Sequence, residues 1–255
     1  MHFFVIKSKQ IRFFVLILAT VLLLSVSING VASAQVFFGY PVKKVPIYYV
    51  STQEKQVAIT FDAAWGADKT EEIMSTCKEY GANATFFLVG FWVDKYTEMV
   101  QKIDANGFEI GTHSKTHPDM TKLSKDSMVE ELSDSIDLIK NITQKEVKYF
   151  RPPYGAYNNQ LIDTAQDLGL TTIQWDVDSL DWKGLSAQNI ADRVLNNVKN
   201  GSIILMHNNA DHVIPALVLV LTRLNQLGYK VGSVGDLVYQ NDYTVDKNGM
   251  QIKNV

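Results

Sequence analysis

Two hydrophobic periods alternate along most of the chain. Short runs rich in β-branched and aromatic residues read as strands: VAITFD (57–62), ATFFLVG (84–90), FEIGTHS (108–114), YFRPPYG (149–155), TTIQWDVD (171–178), SIILMH (202–207) and KVGSV (230–234). Between them, apolar residues recur at helical spacing over 68–80, 95–106, 124–141, 158–168, 186–200 and 212–227, and several of these stretches end at a glycine such as Gly107 or Gly169. Seven strands with six intervening helices predict an α/β fold, a parallel barrel rather than a sandwich. Residues 35–56 read as a lead-in with a strand or hairpin of its own, 57–240 as the domain, and 241–255 as a polar tail without clear structure.

The first 34 residues differ in kind. Lys7, Lys9 and Arg12 precede the apolar run at 13–28, which is followed by Ala32-Ser33-Ala34, the order of an export signal cleaved after Ala34. An uncleaved anchor is the alternative, since a tilted or extended run would span a bilayer. Either way the domain is exported, extracellular or associated with the cell envelope, and touches membrane only through this segment. The full 255-residue chain is 46% hydrophobic, enough for one large core. Without residues 1–34 it carries 21 basic against 27 acidic residues, a net charge of −6 that disfavours nucleic acid as a partner. The lone Cys77 sits in an amphipathic helical pattern and reads as a core residue.

Charged and imidazole residues gather at the carboxyl ends of the expected strands. Asp62 ends the first, His113 and His117 follow the third, Arg151 and Tyr154 end the fourth, Asp178, Asp181 and Trp182 follow the fifth, and His207 ends the sixth. In a parallel barrel these ends form one rim, where such folds carry their chemistry. Any one of these residues alone reads as a cap, a core histidine or a salt bridge; the set on one rim does not. Two of the five histidines fall within GTHSKTHPDM (111–120), but Pro118 and the preceding strand exclude a shared helical face. The helical zinc-protease pattern also needs a glutamate where Ser114 stands.

The segments TFD (60–62), HSKTH (113–117), RPPYG (151–155), DSLDW (178–182) and LMH (205–207), in this order, resemble the polysaccharide deacetylases of the NodB homology type, carbohydrate esterase family 4. The resemblance covers about Val57 to Tyr239, and an exported single-domain chain of this size is similar to the sporulation-associated members of spore-forming bacteria. It implies a distorted (β/α) barrel of about seven strands and hydrolysis of N-acetyl, sometimes O-acetyl, groups on cell-wall or related polysaccharides. Acetamide hydrolysis needs an activated water, a stabilised oxyanion and a proton for the leaving amine. Carried over residue by residue, the resemblance makes His113 and His117 ligands of a divalent metal, zinc with cobalt or nickel as alternatives. It makes Asp62 the general base oriented by Arg151, His207 the general acid oriented by Asp181, and the Tyr154 backbone N–H an oxyanion donor. Trp182 and Leu205 wall an acetyl slot, and Asp178 supports the loop.

One departure weighs against this. The family's first motif is TFDD, its second aspartate being the third metal ligand, whereas this chain reads TFDAAWG with Ala63 in that place. Asp68 and Asp119 are the nearest substitute carboxylates, but Asp68 reads as a helix N-cap with Glu71 completing a capping box, and Asp119 as a turn residue. Asn208 stands where the family often has aspartate. Trp65 is placed to line the sugar groove or to pack on the barrel mouth. Two expectations follow: a metal-assisted hydrolase acting on N-acetylated glycan, or a catalytically weak or silent glycan-binding or structural wall protein on the same scaffold.

Overall fold

The structure, a computed structural model, describes residues 9, 11–22 and 42–254. Two units are distinguished, Met1–Lys43 and Lys44–Val255. In the first, residues 11–22 are helical and expose apolar side chains such as Phe13, Phe14 and Leu18. No helix among the described residues is long and apolar enough to cross a membrane. The expected cleavage point after Ala34 lies outside the described residues.

The second unit is built on β2 (Gln56–Ala63), β3 (Thr85–Leu88), β4 (Glu109–Thr112), β5 (Tyr149–Phe150), β6 (Thr171–Thr172), β7 (Val177–Asp178), β8 (Ile203–His207) and β9 (Lys230–Gly232). All pair in parallel, in the order β6-β5-β4-β3-β2-β8-β7, with β9 joined to the start of β2. The sheet curls into a half-barrel. Where one strand was expected over 171–178, the chain forms two short ones at opposite edges: β6 pairs with β5 and β7 with β8. One continuous segment thus touches both edges of the sheet, which is the distortion of the barrel.

Strand alternation sorts the side chains of β2 into two environments. Val57, Ile59, Phe61 and Ala63 join the apolar cluster shared with the surrounding helices. Ala58 joins the interior cluster with Phe87, Tyr149, Ile173 and Ile203, and Thr60 and Asp62 stand on that same face. Burial of both faces explains why these strands read as continuous apolar runs. Each wholly buried Ile or Phe contributes about 1.5–3 kcal/mol.

The crossovers are α1 (Thr70–Glu79), α2 (Gly90–Lys95), α3 (Thr97–Ala105), α4 (Lys125–Thr143), α5 (Asn159–Asp167), α6 (Ala187–Leu195), α7 (Val213–Gln226) and α8 (Val234–Leu237). Ser124, Asn158 and Ser186 cap α4, α5 and α6 by accepting backbone N–H bonds. The capping box expected from Asp68 and Glu71 does not form: α1 begins after Lys69 with no side-chain cap, and Asp68 is exposed. Helices α2 and α8 lack an amphipathic repeat long enough to be read from sequence.

The expected polar tail is also ordered. Residues Tyr243–Val245 (β10) and Met250–Lys253 (β11) pair antiparallel, and β11 pairs in parallel with β1 (Tyr49–Val50). Gln251 is wholly buried and exchanges two hydrogen bonds with the Tyr239 backbone. Close packing fixes the lead-in: Val50 N–H donates to the Gly201 carbonyl at 2.9 Å, and a Cβ on Gly201, at φ +81°, would lie 1.8 Å from the Val50 oxygen. Gly201→Ala is therefore expected to cost about 2–4 kcal/mol, lowering Tm by about 4–16 °C. An unchanged Tm would show that β1 is not fastened here.

Candidate active site

The register of β2 and β8 sets Asp62 beside His207, and the loops after β4 and β5 bring in the remaining groups. A cavity of about 600 Å³ is lined by Asp62, His113, His117, Tyr154, Asp178, Trp182, Leu205 and His207, with Ala64, Trp65, Gly155, Trp175 and Asn209. Of the ten residues singled out from sequence, eight line it. The other two, Arg151 and Asp181, are buried behind it.

Arg151 is wholly buried. Its Nη1 donates to Asp62 Oδ1 at 2.8 Å and to Thr60 Oγ1 at 2.7 Å, its Nη2 to the Gln174 carbonyl at 3.1 Å, and the guanidinium lies 4.2 Å over the Phe87 ring. Burial pushes the Asp62 carboxyl up, but the Arg151 charge, aided by His113 and His207, outweighs it and holds the group below its ordinary value. Asp62 is therefore ionised and held in one orientation.

His113 continues β4, its N–H donating to the Leu88 carbonyl at 2.8 Å. Its Nδ1 lies 2.6 Å from the Arg151 carbonyl. A carbonyl can only accept, so Nδ1 carries the proton and Nε2 presents a lone pair. Burial, partly offset by Asp62, drives the His113 pKa down to about 4, and burial lowers His117 as well, so both rings are neutral at pH 7. The two ring centroids are 4.8 Å apart. His113 Nε2 faces Asp62 Oδ2 at 3.5 Å, lone pair against lone pair, an arrangement that a positive centre alongside relieves. Neutral imidazoles, one with its tautomer fixed by the Arg151 carbonyl, fit a divalent metal as donors. Among the described residues, however, no three His, Cys, Asp or Glu side chains are grouped to hold an ion.

The turn carrying His117 is held by residues that the sequence did not reveal. Glu131 of α4 accepts from the backbone N–H groups of Lys115 and Thr116 at 3.0 and 2.8 Å, and Ser114 Oγ accepts from His117 N–H at 2.9 Å. Ser114, His117, Tyr154 and Leu180 all have φ between 51° and 68°. These strained positions fall on the three rim loops, as local strain at functional sites does.

On the opposite side, Asp181 accepts two bonds from His207, from Nδ1 at 2.7 Å and from the backbone N–H at 2.8 Å. Burial alone would lower the His207 pKa; the Asp181 hydrogen bond and charge exceed it and raise the value above that of an ordinary histidine. Asp178 shapes the loop, its Oδ1 accepting from Leu180 N–H and its carbonyl from Arg193 Nε. Tyr154, 70% exposed, sets its ring 4.7 Å from His117. Asp176 ties Ser202 and Ile203 together away from the cavity, and Asp119 caps its own turn through Thr121. Neither Asp68 nor Asp119 lines the cavity. Ala63 is wholly buried in the helix-side cluster; its neighbour Ala64 joins the same cluster and also forms part of the cavity wall.

This geometry has known counterparts. The sequence model described as Polysaccharide deacetylase matches residues 49–173. A peptidoglycan-N-acetylglucosamine deacetylase of Bacillus cereus is 31% identical over 205 residues, covering 78% of this chain and 93% of that protein. The uncharacterized protein YlxY of Bacillus subtilis is 34% identical over 76% of this chain, but the chain spans only 60% of its length, and 40% and 56% of two other deacetylase relatives. Among solved structures, a CE4 family pseudoenzyme from Bacillus anthracis matches at a TM-score of 0.74 and 34% identity, covering 76% of this chain and 68% of that one. A mutant of that protein with restored enzymatic activity matches at the same TM-score and 35% identity, covering 76% and 71%. The curled parallel sheet, the ordered motifs and these matches together establish that the chain belongs to the polysaccharide deacetylases of carbohydrate esterase family 4.

Proposed function

We propose that the chain is a metal-assisted deacetylase that removes N-acetyl groups from amino sugars of peptidoglycan or a related cell-wall glycan. Its export segment would place it at the cell envelope. The observation that carries this reading is the meeting, in one cavity, of an arginine-held carboxylate, a neutral imidazole pair and an aspartate-held histidine. A glycan-binding surface alone has no need of this combination.

A divalent cation held by His113 and His117, zinc with cobalt or nickel as alternatives, would polarise the acetamide carbonyl and acidify water. Asp62, which Arg151 holds ionised at neutral pH before the reaction, accepts the proton of the attacking water. The Tyr154 N–H, on its strained turn, is assigned to the developing oxyanion. His207 donates a proton to the departing amine, its Nδ1 side occupied by Asp181 so that Nε2 is left for the substrate. Leu205 and Trp182 enclose the acetyl methyl.

A second reading has its own support. Ala63 brings no donor where the family places a metal ligand, and the pseudoenzyme likeness shows that this scaffold exists without activity. On that reading the cavity binds glycan and leaves it intact. Acetate release from N-acetylated peptidoglycan fragments, followed as zinc or cobalt is added, separates the two. A rate that rises with metal supports the hydrolase; none above background at any metal concentration supports the binder.

The protonated His207 is the working acid, so the rate should fall as pH rises through its raised pKa, above the ordinary histidine range. Asp181→Asn removes the charge that raises it while burial remains. The alkaline limb of the pH–rate profile is expected to move to lower pH in this variant; an unmoved limb would exclude His207 as the acid.

A further inference from the structure

Trp65 lies outside the machinery assigned above, yet it is seated with care. The side chain is 60% exposed, unusual for so large an apolar ring, and it lines the cavity with its ring 5.7 Å from that of His117. Trp182, also 60% exposed, lines the same cavity. The loop beneath Trp65 is fastened at one atom. The Gly66 carbonyl accepts from Trp92 Nε1 at 2.6 Å and from Asn208 Nδ2 at 2.9 Å, and Asn208 Nδ2 also reaches Thr70 Oγ1 at 3.2 Å. Lys69 Nζ adds bonds to the Asn209 and Ala210 carbonyls. Gly66 itself adopts φ +62°, where a side chain would be strained and its Cβ would approach Asp68 Oδ1 to 3.0 Å.

These contacts give a reason for Asn208. Its amide is wholly buried at the end of β8, and only an N–H end can face the Gly66 carbonyl; a carboxylate there would turn oxygen against oxygen. The loop residues AAWG and Asn208 therefore fit each other. A flat apolar ring that is exposed, on a loop whose backbone is fastened at Gly66, suits the C–H face of a pyranose, because binding it reorders little of the loop.

We propose that Trp65 is a glycan-stacking residue and that Asn208, acting through the Gly66 carbonyl, is the positioning residue that holds its ring beside the imidazole pair. The proposal rests on the glycan reading above and adds a sugar contact to it. The test is calorimetric binding of an N-acetylglucosamine tetramer to the full chain stripped of metal by chelator, so that nothing depends on hydrolysis. Trp65→Ala is expected to weaken binding by about 10–30-fold, with part of the loss recovered in Trp65→Phe. Asn208→Ala should weaken it less, and the double variant should bind no worse than Trp65→Ala, because both act through one ring. Wild-type affinity in Trp65→Ala, a full additional loss from Asn208→Ala in the double variant, or no binding by the wild type would each overturn the proposal. Binding that depends on Trp65 in a protein that releases no acetate would sink the hydrolase reading and leave this one standing.

Discussion

Asp62→Asn is expected to lower acetate release by about 10²–10⁴-fold, the range for loss of a positioned general base. The substitution is nearly isosteric, so Arg151 would keep a hydrogen-bond acceptor while losing its counter-charge. Because Arg151 is wholly buried and Asp62 is the one carboxylate it bonds among the described residues, the variant also deprives an interior charge of its hydrogen-bonded counter-ion. Removing one partner of such a pair costs about 3–5 kcal/mol. Both effects should appear together, in steady-state acetate release and in chemical denaturation. The companion Arg151→Met leaves the carboxylate in place but frees its pKa to rise with burial, so it should lose rate as well as stability. Destabilisation of Asp62→Asn with an unaltered rate would assign Asp62 to structure and remove it from catalysis.

The second large effect is expected at Ala63. Its side chain belongs to the helix-side cluster with Phe61, on the face opposite Asp62, so an aspartate there begins in an apolar setting. Without metal, Ala63→Asp should be destabilised by about 1–5 kcal/mol, the cost of a buried group that lacks its partner. If the carboxylate turns at the strand end to reach the imidazole pair, zinc supplies that partner, adding about 2.7 kcal/mol at a hundredfold excess over Kd. The zinc-induced rise in Tm should then exceed that of the wild type, and zinc affinity by calorimetry should tighten by roughly 10–100-fold, in line with other losses and gains at metal sites. Ala64→Asp, on the cavity wall, is the control. A zinc response in Ala64→Asp and none in Ala63→Asp would move the missing ligand position by one residue.

Much of the site was legible because strand endings can be read locally. The strings TFD, RPPYG and LMH each end an apolar run, and parallel strands bring their carboxyl ends to one rim whatever lies between. What resisted reading was non-local. Thr171–Thr172 and Val177–Asp178 look like one strand until β5 claims the first pair and β8 the second, from opposite edges. Met250–Lys253 looks like tail because its partner, Tyr49–Val50, lies about two hundred residues earlier. Glu131 carries no motif; its role exists only because α4 passes the His117 turn. The alternation along β2 could have been used: it sets Ala63 opposite Asp62, a point that matching letters to a family pattern obscures. Asn208 likewise read as a departure beside the acid, whereas in the fold it anchors the loop that bears Trp65.

On the proposed reading, His113 and His117 hold a cation in the cavity that Asp62 and His207 share. Anomalous scattering at the zinc absorption edge, from crystals of the wild-type protein equilibrated with zinc, tests it most directly. A peak is expected within bonding distance of His113 Nε2 and of the His117 ring, on the side of the cavity facing Asp62. Full zinc saturation of the solution with no peak there, or a peak held by other side chains, would contradict it.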